Sequence, residues 1–121
     1  MVLSLATQKR DPDTTVIEIA GRITIGRESG QIEIAVLNAL AEGARKIVID
    51  LGQVAWIDST GIGIVAYCFG KASQAGVRLC VAAANGRVLE VFKLTRIDQV
   101  IDFYPDIASA CTALAKAASA T

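Results

Sequence analysis

The chain has 121 residues, 53% of them apolar, and its twelve basic and twelve acidic side chains cancel. That length predicts a single domain over residues 1–121. So much apolar surface excludes a disordered chain, because its burial offsets the entropy of ordering. Zero net charge, with Lys9-Arg10 and Arg45-Lys46 as the adjacent basic pairs, supplies no field to hold a nucleic acid.

Leu3, Leu5 and Thr7 alternate with Ser4 and Ala6, which predicts a first strand. Asp11-Pro12-Asp13 marks a turn. Residues 14–20, with Val16, Ile17 and Ile19, predict a hairpin partner ended by Gly21. Between Gly30 and Glu42, the residues Ile32, Ala35, Val36, Ala39 and Leu40 form one helical stripe, and Gly43 sits where a C-cap glycine belongs. Residues 46–51 contain Ile47-Val48-Ile49, a short apolar run typical of a strand covered on both faces. Asp58-Ser59-Thr60 places three good N-cap types in succession. The helix they open, to about Ala75, is apolar nearly all round and is expected to be heavily covered. Residues 77–83 predict another strand, and Asn85 is expected to cap a third helix carrying Val88, Leu89, Val91 and Phe92. Residues 100–104 predict a last strand, and Asp106 caps a final helix bearing Ile107, Ala110, Cys111 and Leu114. The order β-β-α-β-α-β-α-β-α predicts an α/β fold, a mixed and mostly parallel sheet of about five strands with about four helices.

The chemistry is limited by what is missing. No histidine is present, which removes Ser-His-Asp triads, Cys-His pairs and His-containing zinc sites. Cys68, Cys80 and Cys111 are far apart and form no C-x-x-C pair, so they read as small buried hydrophobes in a reducing compartment. No metal and no cofactor is expected. No stretch has the apolar length of a membrane span, and the first residues lack the basic lead of a signal peptide, so a cytoplasmic location is expected.

Gly61-Ile62-Gly63-Ile64-Val65-Ala66 matches the dinucleotide pattern G-x-G-x-x-[GA]. However, Gly61 lies ten positions beyond Leu51, where the preceding strand is predicted to end, and no Asp or Glu occurs from Ser59 to Leu89 to take a ribose. The glycines are instead expected to bring the first helical turn close to a strand. Asp58-Ser59-Thr60-Gly61 does not have aspartic-protease spacing, and one carboxylate makes no dyad. A P-loop is absent as well, so the chain is not expected to be an enzyme. What remains is the Ser59 hydroxyl at a helix start. From the residues alone it is either a cap or an exposed group on a rigid base, where free N–H groups and the helix dipole tolerate a phosphate.

In this context the chain resembles a STAS domain, in the single-domain form of bacterial anti-sigma-factor antagonists. The resemblance rests on Ile47-Val48-Ile49-Asp50-Leu51, on Trp56-Ile57-Asp58-Ser59-Thr60-Gly61-Ile62-Gly63, on Gly76-Val77-Arg78-Leu79, and on Phe92-Lys93-Leu94-Thr95 within residues 88–101. It implies that Ser59 is phosphorylated by a serine kinase that is itself the anti-sigma factor. It also implies that the unphosphorylated form binds this kinase, that the phosphorylated form lets go, and that a metal-dependent serine phosphatase restores it. Asp58 is then the neighbouring acid, and Thr60, Gly61 and Gly63 frame the helix start. Neither a membrane nor a nucleic acid is implied as a partner.

One departure is visible. The family often carries Gly-Glu-x-Asp after its second strand, where this chain has Gly21-Arg22-Ile23-Thr24. That loop commonly lies near the phosphosite, so Arg22 and Thr24 join the expected partner-binding residues. Arg22 or Arg27 either reaches a phosphate on Ser59, marks a different partner charge pattern, or is simply solvated. The resemblance also leaves open a scaffold or subunit role, in a stressosome-like or lipid-transport complex, and a small-ligand-binding role.

Overall fold

The computed structural model describes residues 3–24 and 30–119. It opens with a hairpin of β1 (Ser4–Asp11) and β2 (Thr14–Ile23). Asp11 closes the turn, its Oδ1 accepting the N–H groups of Asp13 and Thr14 at 2.9 Å each. From β2 onward the sheet is parallel, through β3 (Lys46–Ile57), β4 (Arg78–Ala82) and β5 (Phe103–Tyr104), in the order β1-β2-β3-β4-β5. The helices are α1 (Gly30–Ala41), α2 (Ser59–Gln74), α3 (Gly86–Leu94) and α4 (Ile107–Ser119). This is the expected mixed, mostly parallel α/β architecture.

Strand alternation divides the core into two layers. Ile17, Ile19, Ile47, Ile49, Leu79 and Val81 point to one face, where α1, α2 and α3 cover them with Ile32, Val36, Val65, Cys68, Val88 and Phe92. Val16, Val48, Cys80 and Ala82 point to the other face, where α4 covers them with Ala110 and Leu114. The central run of β3 is thus buried from both sides, as its continuous apolar sequence requires.

Three expectations change. First, β3 does not stop at Leu51 but runs on to Ile57. Its register against β2 slips twice, from Glu18↔Asp50 to Ala20↔Gln53 and from Gly21↔Val54 to Arg22↔Trp56. Each slip adds one residue to β3, which breaks the side-chain alternation while the ladder continues. At the first slip Asp50 Oδ1 accepts the Gly52 N–H at 2.9 Å, so Gly52-Gln53, beyond the expected strand end, is a bulge within the strand. Second, the last strand shrinks to Phe103–Tyr104, because Val100 and Ile101 both donate their N–H groups to the Ile97 carbonyl at 2.9 Å, closing off the 3-10 turn Ile97–Gln99 instead of joining the sheet. Third, α2 is covered on one side only. Ile62, Ile64, Val65, Cys68 and Ala72 are buried, while Gly63 and Tyr67 face solvent.

Cys68 and Cys80 are buried as expected and Cys111 is half-buried; all three thiols are free. Burial pushes the Cys68 thiol from 9.0 to about 12, with a smaller push from Glu33. It pushes the Cys80 thiol to about 12 as well. Folding therefore favours both neutral thiols. Their contribution to stability is complete below the unfolded value of 9.0 and is lost as pH rises towards about 12. A thiol reagent at pH 8 should label Cys111 alone in the folded protein and all three cysteines in urea, with the labelled sites read by mass spectrometry. Rapid native labelling of Cys68 would contradict this packing.

Candidate functional site at the start of α2

Strand β3 ends at Ile57 and α2 begins at Ser59, so Asp58 alone connects them. The strand expected to end at Leu51 thus runs directly into the helix. Gly61 lies four positions beyond the strand end at Ile57, but it is already inside α2 and not in the turn before it, so the dinucleotide pattern fails on this placement as well as on the missing acid.

Asp58 is held at both ends of its backbone. Its N–H donates to the Ile23 carbonyl at 3.1 Å, tying the connection to the end of β2. Its carbonyl accepts the Ile62 N–H at 3.0 Å, the first bond of the helix ladder. Its backbone is extended (φ −111°, ψ −173°), and its Oδ1 accepts the Gly61 N–H at 3.0 Å. Asp58 is therefore the N-cap.

That assignment moves Ser59 out of the capping role open to it in the sequence. Ser59 is the first helical residue and is exposed. Among the described residues no hydrogen bond engages its hydroxyl. The N–H groups of Ser59 and Thr60 lie in the first turn, where the helix itself offers no acceptor. The site is thus a solvent-facing hydroxyl beside an ionisable carboxyl group, at the positive end of a 16-residue helix.

The two glycines of the motif part company. A β-carbon on Gly61 would lie 2.5 Å from Ile57 Cγ1 and 2.7 Å from both Ile23 Cγ2 and the Ile23 carbonyl oxygen. Gly61 makes the close approach expected of it. Gly63 does not, since a β-carbon there would meet nothing within 4 Å. Its lack of a side chain instead leaves the helix surface flat between exposed Ser59 and Tyr67, at successive four-residue steps.

Arg22 and Thr24 flank Ile23, which both bonds Asp58 and touches Gly61, so these expected partner-binding residues do stand beside the helix start. Arg27 lies outside the described residues. Sequence reasoning missed Trp56 as a site residue. It pairs with Arg22 across the strands, is 38% exposed, and carries the Arg22 guanidinium 5.6 Å above its ring. An exposed aromatic two residues before the cap was the available signal. Asn85, expected to cap α3, makes no side-chain cap and donates to the Ala83 carbonyl at 2.9 Å. It lines a cleft of about 540 Å³ at the ends of β4 and β5, with Leu89, Lys93, Phe103 and Tyr104.

The family model for the STAS domain matches residues 5–110. An anti-sigma-B factor antagonist of Listeria monocytogenes is 28% identical over 102 residues, covering 84% of this chain and 89% of that protein. Among solved structures, an anti-sigma factor antagonist from Mycobacterium paratuberculosis superposes with a TM-score of 0.80 at 24% identity, covering 93% of each chain. The Bacillus cell fate determinant SpoIIAA in its phosphorylated form superposes with a TM-score of 0.64 at 16% identity, covering 83% of this chain and 90% of that one. Among the described residues, no helix is long and apolar enough to cross a membrane, and no cluster of His, Cys, Asp or Glu is arranged to hold a metal ion.

The contrast between the glycines gives a direct test of this geometry. Gly61→Ala should cost about 2–3 kcal/mol, because the backbone oxygen it meets cannot turn aside. Gly63→Ala should add about 0.5–1 kcal/mol, since helical propensity rises with nothing in the way. Urea unfolding of the two variants reads both signs, and equal effects would contradict the asymmetry.

Proposed function

Since the chain belongs to the STAS-domain family, we propose that it is an anti-sigma-factor antagonist whose partner affinity is set by phosphorylation of Ser59. The observation that carries this reading is the division of labour at the helix start. Asp58 takes the cap, and the Ser59 hydroxyl stays exposed on a rigid frame. The names of the Listeria and Mycobacterium relatives support the antagonist role, and the phosphorylated form of SpoIIAA supports a fold that accommodates the modification.

In this reading the partner is an anti-sigma factor that is also a serine kinase, acting in the cytoplasm. The Ser59 oxygen attacks the γ-phosphorus of ATP, the hydroxyl proton passes to a base of the kinase, the bond to the β-phosphate oxygen breaks, and ADP leaves. The chain is substrate, not catalyst. A metal-dependent serine phosphatase restores the hydroxyl by hydrolysis, the phosphoryl group passing to water and leaving as inorganic phosphate.

Electrostatics explains why the modification acts on binding rather than folding. A phosphate adds about −1.5 to −2 charges at neutral pH. The α2 N-terminus accommodates that charge with its free N–H groups and dipole. An interface built around a neutral hydroxyl beside Asp58 meets like-charge repulsion and a larger desolvation cost. A difference of about 1–3 kcal/mol suffices for a change of a few-fold to a hundredfold in affinity. Thr60 and Gly61 hold the frame, Gly63 leaves the helix surface flat for the partner, and Arg22 and Thr24 border the contact.

A second reading has an observation of its own. Ile34 and Leu37 on α1 are 58% and 42% exposed, a surface suited to a permanent scaffold contact. A scaffold role predicts a stable complex indifferent to position 59. The antagonist role predicts that the cognate kinase with ATP places one phosphate on Ser59, located by mass spectrometry, and none on Ser59→Ala. It also predicts that Ser59→Asp weakens kinase binding while Ser59→Ala preserves it. Absence of phosphate on Ser59 would remove the switch.

A further inference from the structure

Arg22 stands where an acidic residue is common in the family, and its surroundings give the guanidinium a use. Strands β2 and β3 run parallel and end together, Arg22 beside Trp56 and Ile23 beside Ile57. Asp58 then bonds the Ile23 carbonyl, and Ser59 follows. Three steps of the chain separate Ser59 from Trp56, about 11 Å at most between Cα atoms, and Arg22 lies across from Trp56 on a strand about 5 Å away. An extended arginine and a phosphoserine reaching towards each other close such a gap.

The guanidinium is not committed elsewhere. Among the described residues the ion pair found is Arg87–Glu90, on α3. Arg22 has the face of Trp56 as its contact, at 5.6 Å, and both side chains are exposed. A cation resting on an exposed ring is weakly held. A planar guanidinium bonded bidentately to a phosphate is held by charge-assisted hydrogen bonds, about twice as strong as neutral ones. Asp58 is the acid beside the phosphate position, but its Oδ1 is turned to the Gly61 N–H. A new phosphate therefore offers Arg22 a better partner than the ring it lies on.

We propose that Arg22 is the phosphate-responsive residue of this site, resting on Trp56 while Ser59 is unmodified and leaving the ring to pair with the phosphate once Ser59 is modified. This rests on the reading of Ser59 as a phosphoacceptor. The modification then changes two things on one surface. It adds anionic charge at Ser59, and it withdraws a cation from the exposed Trp56 face that the partner would meet. An arginine at this position makes the surface of the modified form differ from that of the unmodified form by more than the phosphate itself.

The test installs phosphoserine at position 59 during translation, so that it does not depend on any kinase. Phosphorus NMR then follows the second ionisation of the phosphate in the unsubstituted, Arg22→Gln and Arg22→Lys proteins. A nearby cation favours the dianion, so the phosphate pKa should be lower with Arg22 than in Arg22→Gln by about half a unit or more, with Arg22→Lys between. Trp56 is the sole tryptophan. Its fluorescence should change on phosphorylation in the unsubstituted protein and stay constant in Arg22→Gln. Equal phosphate pKa values in the unsubstituted and Arg22→Gln proteins would overturn the proposal. A kinase that leaves Ser59 unlabelled would instead count against Ser59 as phosphoacceptor, and the two failures are separable.

Discussion

At position 61 the helix backbone comes so close to β2 and β3 that a β-carbon would sit 2.5 Å from Ile57 and 2.7 Å from the Ile23 carbonyl oxygen. That approach fixes where α2 can start. With the first turn seated on Ile23 and Ile57, a single residue spans from strand to helix, and that residue must be extended on one side and cap the helix on the other. Asp58 meets both demands, bonding Ile23 through its N–H and Gly61 through its side chain. Ser59 is then forced to the first helical position with its hydroxyl outward. The exposed hydroxyl is thus a consequence of backbone packing.

The same constraint explains why the site sits on a rigid base. Ile23, Ile57 and Ile62 are buried beneath it, and the β3 strand that delivers it is anchored in the middle of the sheet. A charge added at Ser59 meets a framework already ordered by apolar burial and by a cap worth about 1 kcal/mol. Its effect is therefore expected on the surface, at Asp58, Arg22 and Trp56, and not on the core.

Much of this was legible in the sequence because local signals agreed with the fold. The Asp11 turn, the β-branched residues of β2, the apolar run at Ile47-Val48-Ile49 and the Asp106 cap each act within a few residues, and Asp106 does accept the Ser109 N–H at 2.7 Å. What was not legible depended on pairing with distant residues. The bulges that carry β3 past Gly52 exist only against β2, and no periodicity survives them. Which of Asp58, Ser59 and Thr60 caps α2 depends on where Gly61 docks. The one-sided covering of α2 could not be read from its composition, since Tyr67 counts as apolar yet lies 47% exposed with Lys71 over its ring. Trp56 became a site residue only when Arg22 was found on its face.

The central claim is that one phosphate on Ser59 acts through charge at an intact surface. Calorimetric titration of the proposed kinase partner with the unmodified and the Ser59-phosphorylated protein, at low and at high salt, tests it most directly. The account predicts affinity lower by about tenfold or more for the phosphorylated form, with the gap narrowing as salt rises. Equal affinities at low salt, with both forms folded, would contradict it.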